Sequence, residues 1–87
     1  MKKIDFRNFK VFTDISGEKT ETLDIALMFS DMLYKRVNGI MAHDLALRIY
    51  RSAEPVEFTD EEMALLKPFV EANFTPIFID SFAANLG

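Results

Sequence analysis

The sequence predicts an α+β fold that is mainly α, with an N-terminal β-hairpin packed on a bundle of about four helical segments. Three observations support this prediction. Apolar residues recur at steps of three and four through the middle and C-terminal parts of the chain, as along one face of a helix. β-Branched and aromatic residues alternate near the N-terminus, as in a strand. No linker interrupts the 87 residues, so we expect a single domain spanning 1–87.

The N-terminal hairpin is predicted between residues 9 and 23. Along residues 9–15, β-branched and aromatic side chains fall on one face of a strand at every second position. Residues 16–18 supply a turn, and residues 19–23 return as the second strand. The chain upstream alternates in the opposite parity, so a bulge or bend is expected near Arg7 and Asn8. Because an isolated two-stranded hairpin is marginal in water, this one needs the helices behind it or a strand from another molecule.

Two central helices are expected to form the element on which the rest of the chain packs. The first, about residues 24–37, carries a wide apolar stripe, with more apolar positions than one neighbouring element would cover. Asn38 and Gly39 end it, since both residues tolerate a left-handed backbone. The second helix, about residues 40–53, repeats the pattern with alanines that allow close approach. A break this short favours antiparallel neighbours, and a continuous kinked helix is the alternative.

A third helix is predicted after a short extended connector at residues 54–58. Thr59 and Glu62 have the spacing of a capping box, in which each side chain bonds the other residue's backbone N–H. Pro68 falls inside this helix. Because proline lacks the N–H that the helix would use, we expect a kink or a break there.

The last helix, about residues 76–85, is expected to supply a protein-binding surface. Thr75 followed by Pro76 is a helix start signal. The only charge on the helix is Asp80, which leaves very little polar surface for an element at the chain end. Ordinary core is the competing interpretation of its apolar residues. The predicted interface consists of Phe74, Phe78, Ile79, Phe82 and Leu86.

Composition and charge limit the other possibilities. The chain has no cysteine, which excludes disulfides and zinc sites built on thiolates. The net charge of −4 is unevenly distributed, with a local +3 in residues 1–10 and a local −6 in residues 54–87. Either the two ends attract each other within one molecule, or copies associate head to tail. Neither a signal peptide nor a membrane span is recognisable, so we expect a cytoplasmic protein without a membrane partner.

The sequence indicates no reaction and no cofactor. His43 is the single histidine and lacks a partner in sequence that would make it an acid, a base or a ligand. Three scattered glycines form neither a phosphate loop nor a dinucleotide fingerprint. The acids between Glu57 and Glu62 lack EF-hand spacing and suit the first turn of a helix. We therefore expect no catalytic residue, no metal ligand and no cofactor, and an enzyme is the least favoured of three hypotheses.

A nucleic-acid-associated regulatory protein is the alternative function. Its basic residues would form one patch if the central helices lay antiparallel with a tilt. However, each basic pair also suits the negative end of its own helix dipole. A pI near 4.8 argues against binding driven by the phosphate backbone. The residues of this alternative are Lys35, Arg36, Arg48 and Arg51.

Two stretches resemble a group of small proteins of unassigned role that bacteriophages and integrated elements encode. They are residues 38–50, NGIMAHDLALRIY, and residues 56–62, VEFTDEE. Together with the hairpin-like N-terminus and helical body, the likeness covers about half of the chain. It implies no catalytic or binding residues. The expected function is a non-enzymatic protein–protein interaction or assembly module, phage- or mobile-element-derived, whose partner is a second copy or another protein.

Overall fold

The computed structural model describes residues 2–86. This part of the chain contains four helices and four short strands, which confirms the predicted α+β, mainly α fold with N-terminal strands. In chain order the elements are β1 (Lys2–Ile4), β2 (Phe9–Phe12), β3 (Thr20–Leu23), α1 (Ala26–Arg36), α2 (Ile40–Arg51), β4 (Val56–Phe58), α3 (Asp60–Asn73) and α4 (Pro76–Asn85).

The strands form two antiparallel ribbons. β2 and β3 make the predicted hairpin, in register from Phe9 opposite Leu23. β1 pairs with β4 instead, so the N-terminal segment lies against the connector that precedes α3. The predicted bend between β1 and β2 is present: the backbone N–H groups of Arg7 and Asn8 both donate to Asp5 Oδ1, at 3.0 and 3.2 Å. The shift in the alternation of apolar residues near Arg7 and Asn8 therefore marks the point where the chain passes from one ribbon to the other.

α1 and α2 form an antiparallel hairpin. Leu27, near the start of α1, lines one groove with Tyr50, near the end of α2. At the other end of the pair, the ring centroids of Tyr34 and His43 are 5.4 Å apart. These contacts exclude a continuous kinked helix. Gly39 immediately precedes α2 with a φ of 110°, a left-handed value that favours glycine.

α3 begins with the predicted capping box and runs through its proline. The Glu62 N–H donates to Thr59 Oγ1 at 3.2 Å, and the Thr59 N–H donates to Glu62 Oε1 at 2.9 Å. A kink or a break was expected at Pro68; the helix is continuous through this residue, so a break does not occur. Pro68 is exposed, whereas Leu66 and Phe69 on either side are buried in the core. Packing of these neighbours stabilises the helix despite the lost hydrogen bond.

The core is an aromatic cluster centred on Phe29 of α1. This side chain is fully buried, and its ring contacts five other phenylalanines. The rings come from the segment between the ribbons and from α3, α4 and the residue between them, so the cluster joins most of the fold. The centroid distances from Phe29 are 4.9 Å to Phe6, 5.5 Å to Phe69, 5.7 Å to Phe74, 5.9 Å to Phe82 and 6.4 Å to Phe78.

Candidate protein-binding surface

Two residues of the predicted interface on α4 belong to the core. Phe78 and Phe82 are 8% and 5% exposed, and Phe78 stacks on Phe9 of β2 at 5.2 Å. The prediction that these two rings face a partner does not agree with this burial. The reason is that β2 packs against α4 and covers them, a contact between opposite ends of the chain that helical spacing does not reveal.

The other residues of the predicted interface are partly accessible. Phe74, Ile79 and Leu86 are half-buried and pack against the core. Ile79 and Leu86, together with one edge of Phe82, also line a groove of about 370 Å³ between α3 and α4. The predicted interface is thus divided between the core and this groove.

Most of the exposed large apolar side chains lie elsewhere, on α1 and α2. Within residues 2–86 there are eight such side chains, and six of them are on these two helices. The sequence carried a signal of this surface, because the apolar stripe of α1 is wider than one neighbouring element covers. The six are Leu27, Met28, Tyr34, Ile40, Met41 and Tyr50.

A shallow groove runs between the two helices on their exposed side. It has a volume of about 210 Å³. Ser30 and Ala46 are buried and small, so they form its floor, while larger side chains rise on both sides. We call this surface the α1–α2 groove, and its residues are Leu27, Ser30, Asp31, Tyr34, Ala46, Leu47 and Tyr50.

Two polar side chains on the α1 side of this groove have partners within the same helix. Ser30 Oγ donates to the carbonyl oxygen of Leu27 at 3.2 Å. The carboxylate of Asp31 accepts from Lys35 Nζ at 2.9 Å, one turn along the same helix. The groove therefore combines apolar walls with a serine and an aspartate that are already paired within α1. Such a surface suits the apolar side of another helix better than a charged small molecule.

His43 lies next to the groove without the surroundings of a catalytic base. Its side chain is about half exposed, and its ring contacts Tyr34. The distance from His43 Nδ1 to Asp44 Oδ1 is 3.6 Å, too long for a hydrogen bond. Asp44 is the neighbouring residue in sequence and is itself exposed. The pair does not form the nucleophile–base geometry that acid–base chemistry requires.

The structure does not bring the four basic residues of the nucleic-acid alternative into one patch. Three of them have polar partners: Lys35 Nζ lies 2.9 Å from Asp31 Oδ2, Arg36 Nη1 donates to Asn73 Oδ1 at 3.0 Å, and Arg48 Nη2 donates to Glu62 Oε2 at 2.8 Å. Asn73 and Glu62 lie near opposite ends of α3. Arg36 and Arg48 are therefore held at opposite ends of the helical hairpin, and Arg51 is exposed close to Arg48 in sequence.

Two further findings concern metal ions and membranes. Across residues 2–86, no group of three or more His, Asp or Glu side chains is arranged to hold a metal ion. The helices in the same range are also too short or too polar to cross a bilayer.

Comparison of the chain with family models, with curated proteins and with solved structures found no match.

Proposed function

We propose that this protein is a non-enzymatic protein–protein interaction module, that the α1–α2 groove is its contact surface, and that its partner is a second copy of the chain. The observation that carries the proposal is the concentration of exposed apolar side chains on α1 and α2. Three of the six, Leu27, Tyr34 and Tyr50, line the groove itself, and at about 200 Å² for a fully exposed large side chain their exposed fractions amount to roughly 340 Å² per chain. A standard interface buries about 800 Å² per partner, so the groove supplies the apolar centre of such a contact and the residues around it supply the rim.

The spacing of residues on α1 supports a second copy as the partner. Leu27 and Tyr34 are seven residues apart, and Ser30 and Asp31 lie midway between them. A two-fold axis passing between these middle residues places Leu27 of one copy against Tyr34 of the other. The buried, small Ser30 allows the two helices to approach closely. The resulting contact is isologous and makes an antiparallel four-helix arrangement with α2 of each copy.

The charge of this surface also permits self-association. A face with a net charge repels a second copy of itself, because a two-fold contact brings two identical faces together. Here Asp31 and Lys35 form an ion pair within each chain, at 2.9 Å, and neutralise each other. The contact therefore does not require either copy to bury an unpaired charge.

Sedimentation equilibrium of matched variants tests the proposal. The weight-average mass of the parent should rise with concentration, and Leu27→Glu should lower it at every concentration because a charge enters the apolar contact. Ile15→Glu is the control, since Ile15 is fully exposed and lies outside the groove. Far-UV circular dichroism should show that all three chains are folded. A parent that is monomeric throughout, or a Leu27→Glu curve that coincides with the parent's, overturns the proposal.

An origin in a bacteriophage or another mobile element is part of the same proposal. Its support is the resemblance carried by residues 38–50 and 56–62. The neighbouring genes test it, because a block of capsid or tail genes is expected and a block of metabolic genes argues against it. The cytoplasmic location stays a prediction. The separation of Arg36 from Arg48 gives the nucleic-acid alternative no support.

A further inference from the structure

The β2–β3 ribbon has one edge that is closed by side chains of α4. On β2, the Lys10 N–H donates to Asn85 Oδ1 at 3.0 Å, and Asn85 Nδ2 donates back to the Lys10 carbonyl oxygen at 2.8 Å. The Phe12 N–H donates to Ser81 Oγ at 2.9 Å. The side chains of Asn85 and Ser81 thus take the place of a neighbouring strand along β2.

The opposite edge of the ribbon, on β3, is open. Lys10 and Phe12 direct their N–H groups away from β3, so their partners Thr22 and Thr20 direct theirs away from β2. In the described part of the chain, no hydrogen bond reaches these outward groups of Thr20 and Thr22. All four residues of β3 are exposed. An open edge of this kind is a template for another strand.

We propose that β3 strands of two copies pair antiparallel across a two-fold axis at Thr20, which joins two ribbons into a four-stranded sheet. In this register Thr20 lies opposite Thr20 of the second copy. Lys19 then lies opposite Glu21 of the second copy, and Glu21 opposite its Lys19. The sheet gains two opposite-charge pairs between directly facing side chains, the arrangement that stabilises antiparallel strands.

Neighbouring registers lack this complementarity. An axis at Glu21 places two glutamates opposite each other, and like charges in that position destabilise a strand pair. An axis at Thr22 places Glu21 opposite Leu23 of the second copy and gains no ion pair. The charges beside the open edge therefore oppose wrong registers and favour the one centred on Thr20.

This surface goes beyond the proposed function, because it shares no residue with the α1–α2 groove. A chain that uses both surfaces contacts two neighbours when each contact has its own two-fold axis. The two together would build assemblies larger than a dimer.

Charge exchange at the open edge tests the pairing. The experiment uses the Leu27→Glu background, in which the groove contact is removed, and measures dissociation constants by sedimentation equilibrium. This background should still dimerise. Adding Lys19→Glu makes the edge acidic, adding Glu21→Lys makes it basic, and each should raise the dissociation constant about tenfold or more. An equimolar mixture of the two variants should restore dimerisation, because acidic and basic edges then face each other.

The possible results separate the two proposals. A background that is monomeric throughout, or single changes that leave its dissociation constant unaltered, overturns the strand pairing. A mixture of the two variants that associates no better than either variant alone also overturns the strand pairing. If the groove proposal is wrong, Leu27→Glu is simply a silent change and the charge exchange still reports on β3.

Single cysteines test the register, because the chain has no cysteine of its own. A two-fold axis at Thr20 places the two Thr20 Cα atoms about 5.5 Å apart, within the range that a disulfide spans. Thr22 is the matched control: it points outward on the same edge but faces Glu18 of the second copy. On oxidation, Thr20→Cys should form disulfide-linked dimers at least tenfold faster than Thr22→Cys. Equal rates, or faster linkage at Thr22→Cys, overturn the register.

Discussion

Replacing Phe29 by alanine should remove a large part of the free energy of unfolding. The side chain is 0% exposed, and five other phenylalanine rings lie within 6.4 Å of its ring centroid. Truncating such a phenylalanine costs about 3–5 kcal/mol, since the lost contacts leave a cavity. The rings that surround it come from several elements, so no single segment can move in to refill the space. A domain of this length has roughly 4–13 kcal/mol in all.

Urea unfolding followed by far-UV circular dichroism measures this loss directly. The protein is kept dilute, because association would add to the apparent stability. Met28→Ala is the matched control: it is the next residue on the same helix, its side chain is 42% exposed, and it lies outside the ring cluster. We expect Met28→Ala to cost less than about 1 kcal/mol. A Phe29→Ala variant that loses less than about 1.5 kcal/mol would refute the central position assigned to this ring.

Three further predictions concern local contacts. Burial raises the pKa of Glu62, but hydrogen bonds led by that from the Thr59 N–H outweigh burial, and the pKa lies below its usual value. Its stabilising effect is full above the unfolded pKa of about 4.3 and is lost as pH falls through the folded pKa. The Glu62→Gln variant should therefore lose less stability in acid than the parent. Urea titrations in which the parent and the variant lose the same free energy of unfolding on acidification would contradict this. Asn85→Ala should lower the free energy of unfolding by about 1–3 kcal/mol and speed hydrogen exchange of the Lys10 amide. Unchanged exchange of this amide, measured by NMR, would show that Asn85 does not protect the β2 edge. Gly39→Ala should lower the free energy of unfolding by about 1–2 kcal/mol, because alanine is strained at a φ of 110°. No atom lies within 4 Å of the added Cβ, so a steric clash does not contribute. A midpoint of thermal unfolding equal to that of the parent would refute this strain.

The parts of the fold that could be predicted from the sequence are those held by local interactions. The capping box of Thr59 and Glu62 forms between residues three apart, and the two strands of the β2–β3 hairpin are joined by residues 13–19 alone. The β1–β4 ribbon could not be predicted, because its residues are about 50 positions apart and no local pattern joins them. Short-range rules also overestimated the effect of Pro68 on the helix, because the packing of its buried neighbours offsets the lost hydrogen bond.

The candidate surface shows the same limit. Helical spacing placed Phe78 and Phe82 on one face of α4, but it contained no information about what covers that face. Phe9 from the other end of the chain and Phe29 of α1 bury them. The same packing leaves Tyr34 on the exposed side of α1 without a cover. Periodicity thus identified the apolar faces, and only the tertiary contacts decided which of them reaches solvent.

The pairing of β1 with β4 has a consequence for the way the protein is made. Ile4 leaves the ribosome about 50 residues before Val56, the residue it pairs with. At about 5–20 residues per second, translation keeps the first strand waiting for roughly 3–10 s. During that interval the nascent N-terminus has hydrophobic side chains such as Phe6 but no finished core to receive them. Until Val56 has emerged, β1 therefore has no strand within the chain to pair with.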